Sequence, residues 1–125
     1  MYHTTIVNPK TKRENRARAW LVNPRAVYDK LKSGEYKDAR DISWALLGDD
    51  ESIQDMQAEE YGDAAERNLA LSIFENALDW GLGMAVLNYL RAFLKKKALP
   101  KSFEVMATRR GDVFVRSASG RLYVM

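Results

Sequence analysis

The 125-residue chain has no cysteine and one histidine, His3. Without cysteine there is no disulfide, no thiolate nucleophile and no cysteine-ligated zinc. With a single histidine, a metal site would have to be assembled from carboxylates, which suit Mg²⁺, Mn²⁺ or Ca²⁺. A Ser-His or His-Asp catalytic pair would need the His3 ring held rigidly two residues from the start of the chain; a surface histidine is the simpler account. Long apolar runs are also missing. The longest apolar-rich stretch, Leu82 to Leu94, is interrupted by Asn88 and Arg91. It falls well short of the about 20 apolar residues that span a bilayer. The opening Met1-Tyr2-His3-Thr4-Thr5 shows no basic segment followed by an apolar stretch, so no secretory signal, no membrane association and a reducing cytoplasmic setting are expected.

What is present suits a folded protein. Apolar residues make up 46% and charged residues 30%, a balance that can build a core and argues against wholesale disorder. The length fits one domain covering residues 1–125.

Charge is segregated along the chain. Between Asp49 and Glu66 there are eight carboxylates (Asp49, Asp50, Glu51, Asp55, Glu59, Glu60, Asp63 and Glu66) and no Lys or Arg. Ten basic against five acidic residues precede this segment and ten against four follow it, so charge runs +5, −8, +6 in order, within a net +3. Such a distribution shapes association and choice of partner rather than fold.

Residues 2–8 and 16–22 are short β-prone runs separated by a polar stretch, a pattern that predicts a hairpin with a long tip. Alternation puts Ala17, Ala19 and Leu21 on one face of the second strand and Arg16, Arg18 and Trp20 on the other. The small apolar face is expected to pack inward. Asn23-Pro24 predicts a helix start, because Asn accepts from free backbone N–H groups and Pro at the first helical position forgoes a donor that lacks a partner. Ser33-Gly34 should end that helix. A second helix is predicted over Asp38 to Leu47, with Ile42, Ala45 and Leu46 as its stripe. The acidic segment suggests a weakly amphipathic helix broken at Gly62, and apolar residues recur at helical spacing from Leu69 to Leu78. Leu82, Ala85, Val86, Tyr89, Leu90, Phe93 and Leu94 form the strongest stripe. Lys95-Lys96-Lys97 sits where cations favour the negative end of the helix dipole, and Pro100 forbids continuation. Phe103 to Thr108, Val113 to Arg116 and Leu122 to Met125 predict a three-stranded meander turning at Gly111-Asp112 and Ser119-Gly120. The fold class expected is α+β: an antiparallel sheet from an N-terminal hairpin and a C-terminal three-stranded meander, packed against a central block of about four helices.

No catalytic signature emerges. Asp49-Asp50-Glu51-Ser52-Ile53-Gln54 lacks the alternating acids and the sixth-position glycine of an EF-hand loop. The acidic segment is then a solvated face or a docking surface for a basic partner. Glu35-Tyr36-Lys37 has the local order of a nuclease site but no β-prone run around it. Gly81-Leu82-Gly83 has no third glycine and no preceding strand, so a close helix-helix corner explains it better than a phosphate cradle. Arg110-Gly111-Asp112 is accounted for by a hairpin turn.

A basic set carries more. Lys10, Lys12 and Arg13 sit at the first hairpin's tip, with Arg16, Arg18 and Trp20 along one strand face. Arg109, Arg110, Arg116 and Arg121 in the meander extend the patch if the two hairpins are neighbours. Cations neutralise phosphates while a ring stacks on a base, and the same residue types anchor protein interfaces. The bland alternative is a solvated sheet face with Trp20 covered by a helix. The function expected is a non-enzymatic interaction protein, of the phage or mobile-element accessory kind, that binds and inhibits or adapts a host nucleic-acid-handling complex. Direct DNA or RNA binding through the basic hairpin is the alternative, and a carboxylate-based, metal-dependent hydrolase the third. The partner expected is a larger protein or nucleoprotein complex, with no cofactor.

Overall fold

Five short strands pair into one antiparallel sheet in sequence order, although 80 residues separate the second from the third. The computed structural model describes residues 2–48, 80–108 and 111–125. Strands β1 (Tyr2–Val7) and β2 (Glu14–Val22) form the N-terminal hairpin; β3 (Phe103–Thr108), β4 (Val113–Arg116) and β5 (Leu122–Val124) form the C-terminal meander. The two units join through β2 and β3, with Ala17 opposite Thr108 and Val22 opposite Phe103. The expected neighbourhood of the two hairpins therefore exists.

Helices α1 (Pro24–Lys32), α2 (Ala39–Gly48) and α3, described over residues 80–94, lie in the connection between β2 and β3. The start of α1 follows from its first two residues: the Asn23 side chain accepts from the N–H groups of Arg25 and Ala26, with Pro24 next in line. At its end Gly34 takes φ +83°, the left-handed conformation that glycine adopts without a Cβ clash. The architecture is α+β, with three helices described rather than about four. The two further helical segments expected within 49–79 lie outside the described residues, as does the whole acidic segment.

The sheet is buried on both sides. Toward the helices, Trp20, Val22, Phe103, Val105 and Val115 pack with Ile42, Leu47, Leu82, Val86 and Leu90. On the other side Ile6, Ala17, Ala19, Met106 and Phe114 form a second, smaller core with Leu122 packed against it. Arg116 on β4 donates to the Tyr2 hydroxyl of β1 at 2.8 Å, across two intervening strands. Since Ile6 and Leu122 also come from opposite edges, the sheet curls toward this face, and the small Ala17 and Ala19 leave room for it to do so.

This double burial corrects the inward-face expectation for β2. Leu21 is 69% exposed and Trp20 only 2%, so the larger core is on the Arg16–Arg18–Trp20 side. The α2 stripe is also rotated. Ala39, Ile42, Ser43 and Leu47 are buried, whereas Ala45 is exposed. The cause is a close contact with α3: a Cβ built on Gly83 would lie 1.7 Å from the Ala39 carbonyl oxygen, and the Gly83 N–H donates to Ser43 Oγ at 2.8 Å. Gly83, of the two glycines, thus permits the close helix-helix packing, but within a helix rather than at a corner. In α3 Leu82, Ala85, Val86 and Leu90 are buried as their spacing predicts, while Phe93 is only partly buried and Leu94 is exposed. Among the described residues, no helix is long and apolar enough to cross a membrane.

Candidate functional site: two cationic ends of the sheet

The connection between β1 and β2 is a built turn. Asn8 Oδ1 accepts from the N–H groups of Lys10 (2.9 Å) and Thr11 (3.3 Å), an arrangement that Asn supports because its short side chain mimics a backbone turn. The Asn8 carbonyl accepts from Lys12 N–H at 2.8 Å, and Asn8 N–H donates to the Arg13 carbonyl at 2.9 Å. Thr11 Oγ1 accepts from Arg13 N–H at 3.3 Å. Five hydrogen bonds therefore fix a six-residue turn, residues 8–13, whose three cations all face solvent. Lys12 occupies it with φ +61°.

The strand register divides the expected basic patch between two ends of the sheet. Lys10, Lys12, Arg13 and the exposed Arg16 lie at the end where β1 hands over to β2 and where Thr108 approaches its turn. Arg18, opposite His3 and Ala107, is partly buried near mid-strand. Arg109 and Arg110, between Thr108 and Gly111, lie outside the described residues. Arg116 and Arg121 flank the β4–β5 turn at the far end, where Val22 meets Phe103. Arg116 is engaged internally: it donates from Nε to Glu104 Oε1 at 3.0 Å and from Nη2 to Glu104 Oε2 at 3.1 Å, as well as to Tyr2. Trp20 is a core residue, and its indole Nε1 is buried without a hydrogen-bond partner. Its ring is closed to a stacking base. Among the described residues, Lys10, Lys12, Arg13 and Arg16 have no ion-pair partner.

The far end gathers cations that the sequence pattern had assigned only to the helix dipole. Helix α3 closes with the Ala98 N–H donating to the Phe93 carbonyl at 3.3 Å and the Lys97 N–H to the Leu94 carbonyl at 2.9 Å. This is a Schellman cap with Lys97 in the left-handed position, φ +56°. Lys95, Lys96, Lys97 and Lys101 are all exposed. Beside them Tyr89 packs on Phe93 and Phe103, with ring centroids 5.1 and 4.4 Å apart, and faces Tyr123 at 6.1 Å. The Arg121 guanidinium lies 5.3 Å over the Tyr123 ring. Burial, and after it the proximity of Tyr123, raises the Tyr89 hydroxyl above its ordinary pKa of 10.0.

A cleft of about 330 Å³ opens between the start of α3 and the hairpin-tip end, lined among others by Asn8, Met84, Asn88, Asp112 and Met125. Among the described residues, no three His, Asp or Glu side chains converge as a metal site would require. His3 is exposed on an edge strand. The chemistry this surface offers is recognition of negative charge, by cations held on ordered backbone at both ends of one sheet. Comparison of the chain with protein-family models, curated proteins and solved structures finds no match.

Proposed function

We propose that the chain is a non-enzymatic interaction protein that docks on a larger nucleic-acid-handling complex and inhibits or adapts it, with the hairpin tip as its contact surface. The observation that carries this is the turn at residues 8–13, with Lys10, Lys12 and Arg13 exposed on a backbone already fixed by five hydrogen bonds. An ordered loop loses less conformational freedom on binding than a flexible one, so more of its contact energy appears as affinity. Exposed cations with no ion-pair partner among the described residues also speed encounter with an anionic surface. With Trp20 in the core, the expected stacking platform for single strands lacks its ring, and charge recognition is the better supported mode.

The test is capture from the native host on the tagged full chain, with and without nuclease, against a variant carrying Lys10→Glu, Lys12→Glu and Arg13→Glu. The expected result is a set of nucleic-acid-handling proteins that survives nuclease and is lost in the variant. Retention of the same partners by a folded variant would refute the tip as the docking surface.

A further inference from the structure

The sheet ends on one side at β1 and on the other at β5, and the ladder decides which backbone groups those edges leave free. In an antiparallel pair, residues that exchange N–H to C=O bonds alternate with residues whose polar groups point the other way. Thr108 N–H donates to the Asp112 carbonyl at 2.9 Å, so the even residues of β3 bond toward β4 and the odd ones toward β2. Ala107 stands opposite Arg18, so the even residues of β2 bond β3 and its odd residues bond β1. Ala17 stands opposite Thr4, which leaves His3, Thr5 and Val7 facing outward. The hairpin turn gives the same parity independently, because Asn8 N–H donates to the Arg13 carbonyl at 2.9 Å. The N–H and C=O groups of His3, Thr5 and Val7 therefore line the free edge of β1, and all three residues are exposed. Among the described residues no strand covers that edge.

Unpaired edges template further pairing, and folded proteins guard them by keeping them short or with charge, proline or a bulge. Strand β5 is short, at 3 residues. Strand β1 has 6 residues, Tyr-His-Thr-Thr-Ile-Val, with no Asp, Glu, Lys, Arg or Pro, and its register against β2 runs unbroken from Tyr2 to Val7. By contrast β2, β3 and β4 each carry charge. We propose that β1 is a pairing edge and that its occupant is β1 of a second copy, antiparallel, with the two-fold axis at Thr5. In that register His3 meets Val7 of the second copy, Thr5 meets its Thr5 and Val7 meets its His3. Each of these pairs exchanges both bonds, so every outward group on both strands is satisfied. Thr4 falls opposite Ile6 of the second copy and Tyr2 opposite its Asn8. No pair sets like charges against each other, and the Thr-Thr pair at the axis is favourable. A strand from another protein would find no charge on β1 to select it, whereas two identical copies match bond for bond, as a two-fold contact requires. The two five-stranded sheets become one continuous sheet. Lys10, Lys12 and Arg13 lie beyond the paired residues, so the docking role proposed above stands or falls separately.

The experiment is analytical ultracentrifugation of the full chain over about 1–200 µM, which spans dissociation constants of the micromolar class. The parent should pass from monomer to dimer as concentration rises. Thr5→Pro removes one outward N–H and no bond within the hairpin, a change that edge strands tolerate. It should stay monomeric at the highest concentration and keep the parent's melting temperature at the lowest. Thr5→Lys and Thr5→Glu set like charges face to face at the axis, so each should stay monomeric alone, and an equal mixture of the two should dimerise. A parent that is monomeric throughout would overturn the proposal, as would a Thr5→Pro or Thr5→Lys protein that dimerises as the parent does. A mixture that stays monomeric would overturn the axis at Thr5. A monomeric parent whose Thr5→Pro variant loses the partners captured from the native host would assign the edge to a partner's strand instead of a second copy.

Discussion

Substituting Gly83 by alanine sets two opposed effects against each other in one helix. In an ordinary helix interior Gly→Ala stabilises by about 1 kcal/mol, because alanine has less backbone freedom to lose. Here the new Cβ would lie 1.7 Å from the Ala39 oxygen and 2.5 Å from its carbonyl carbon, both backbone atoms that no rotamer change can move aside. Helices α2 and α3 must separate by roughly 1.5 Å or more to reach ordinary contact. Overpacking of this kind costs about 1–3 kcal/mol, and opening the interface also loses the bond from Gly83 N–H to Ser43 Oγ, about 0.5–1.5 kcal/mol. After the propensity gain, Gly83→Ala should be destabilised by about 2 kcal/mol. Gly81, two residues earlier, supplies the control. Its Cβ would meet only the Val113 side chain, Cγ2 at 3.3 Å, so Gly81→Ala should lie between neutral and about 1 kcal/mol more stable. Urea unfolding of the two variants measures both. Equal stabilities, or a Gly83→Ala protein as stable as the parent, would refute the close helix crossing and with it the explanation for the rotated face of α2.

The Arg116–Glu104 pair is partly buried, with side chains 27% and 19% exposed, and is bonded twice. Arg116→Ala should cost about 1.5–3 kcal/mol in urea titrations, because it strands the Glu104 carboxylate, and a double change of Arg116→Met with Glu104→Leu should recover most of that loss. Tyr89 predicts a pH dependence. Its hydroxyl titrates above 10.0 when folded, so its contribution is intact below about pH 10 and is lost as pH rises through the folded value. The melting temperature should therefore fall above pH 10, and Tyr89→Phe should flatten that part of the profile; an unchanged profile would place the ring in a less buried setting.

Local chemistry made much of this fold legible from sequence. The Asn23-Pro24 start, the Gly34 stop, the three meander strands and the Leu82, Ala85, Val86 and Leu90 part of the α3 stripe each depend on a few neighbouring residues, and each is where those residues put it, whereas Leu94 at the end of that stripe is exposed. The orientation of β2 was not legible, for a physical reason. Alternation assigns residues to two faces but does not say which face is covered, and a sheet that curls on itself covers both. Ala17 and Ala19 look like the inward face of an ordinary strand because they do pack inward, into the smaller core. Trp20 packs into the larger one, a choice made by α2 and α3 from more than twenty residues away.

The candidate surface shows the same division between near and far. That Lys10, Lys12 and Arg13 share a turn is local information, carried by Asn8 and Pro9. Whether Arg116 and Arg121 join them is a question of register, and the register sends them to the other end of the sheet. Arg116 has the charge of a surface contact, yet Glu104, its partner in register, and the Tyr2 hydroxyl accept from its Nε and Nη2. Conversely, the run Lys95-Lys96-Lys97 has a sufficient local explanation in the helix dipole, which hides a second property. The dipole favours any cation near the last turn and does not require one in the left-handed position, where glycine is the cheaper residue. The backbone angle at Lys97 is close to that at Lys12, and both hold the left-handed conformation that Gly34 takes at the end of α1.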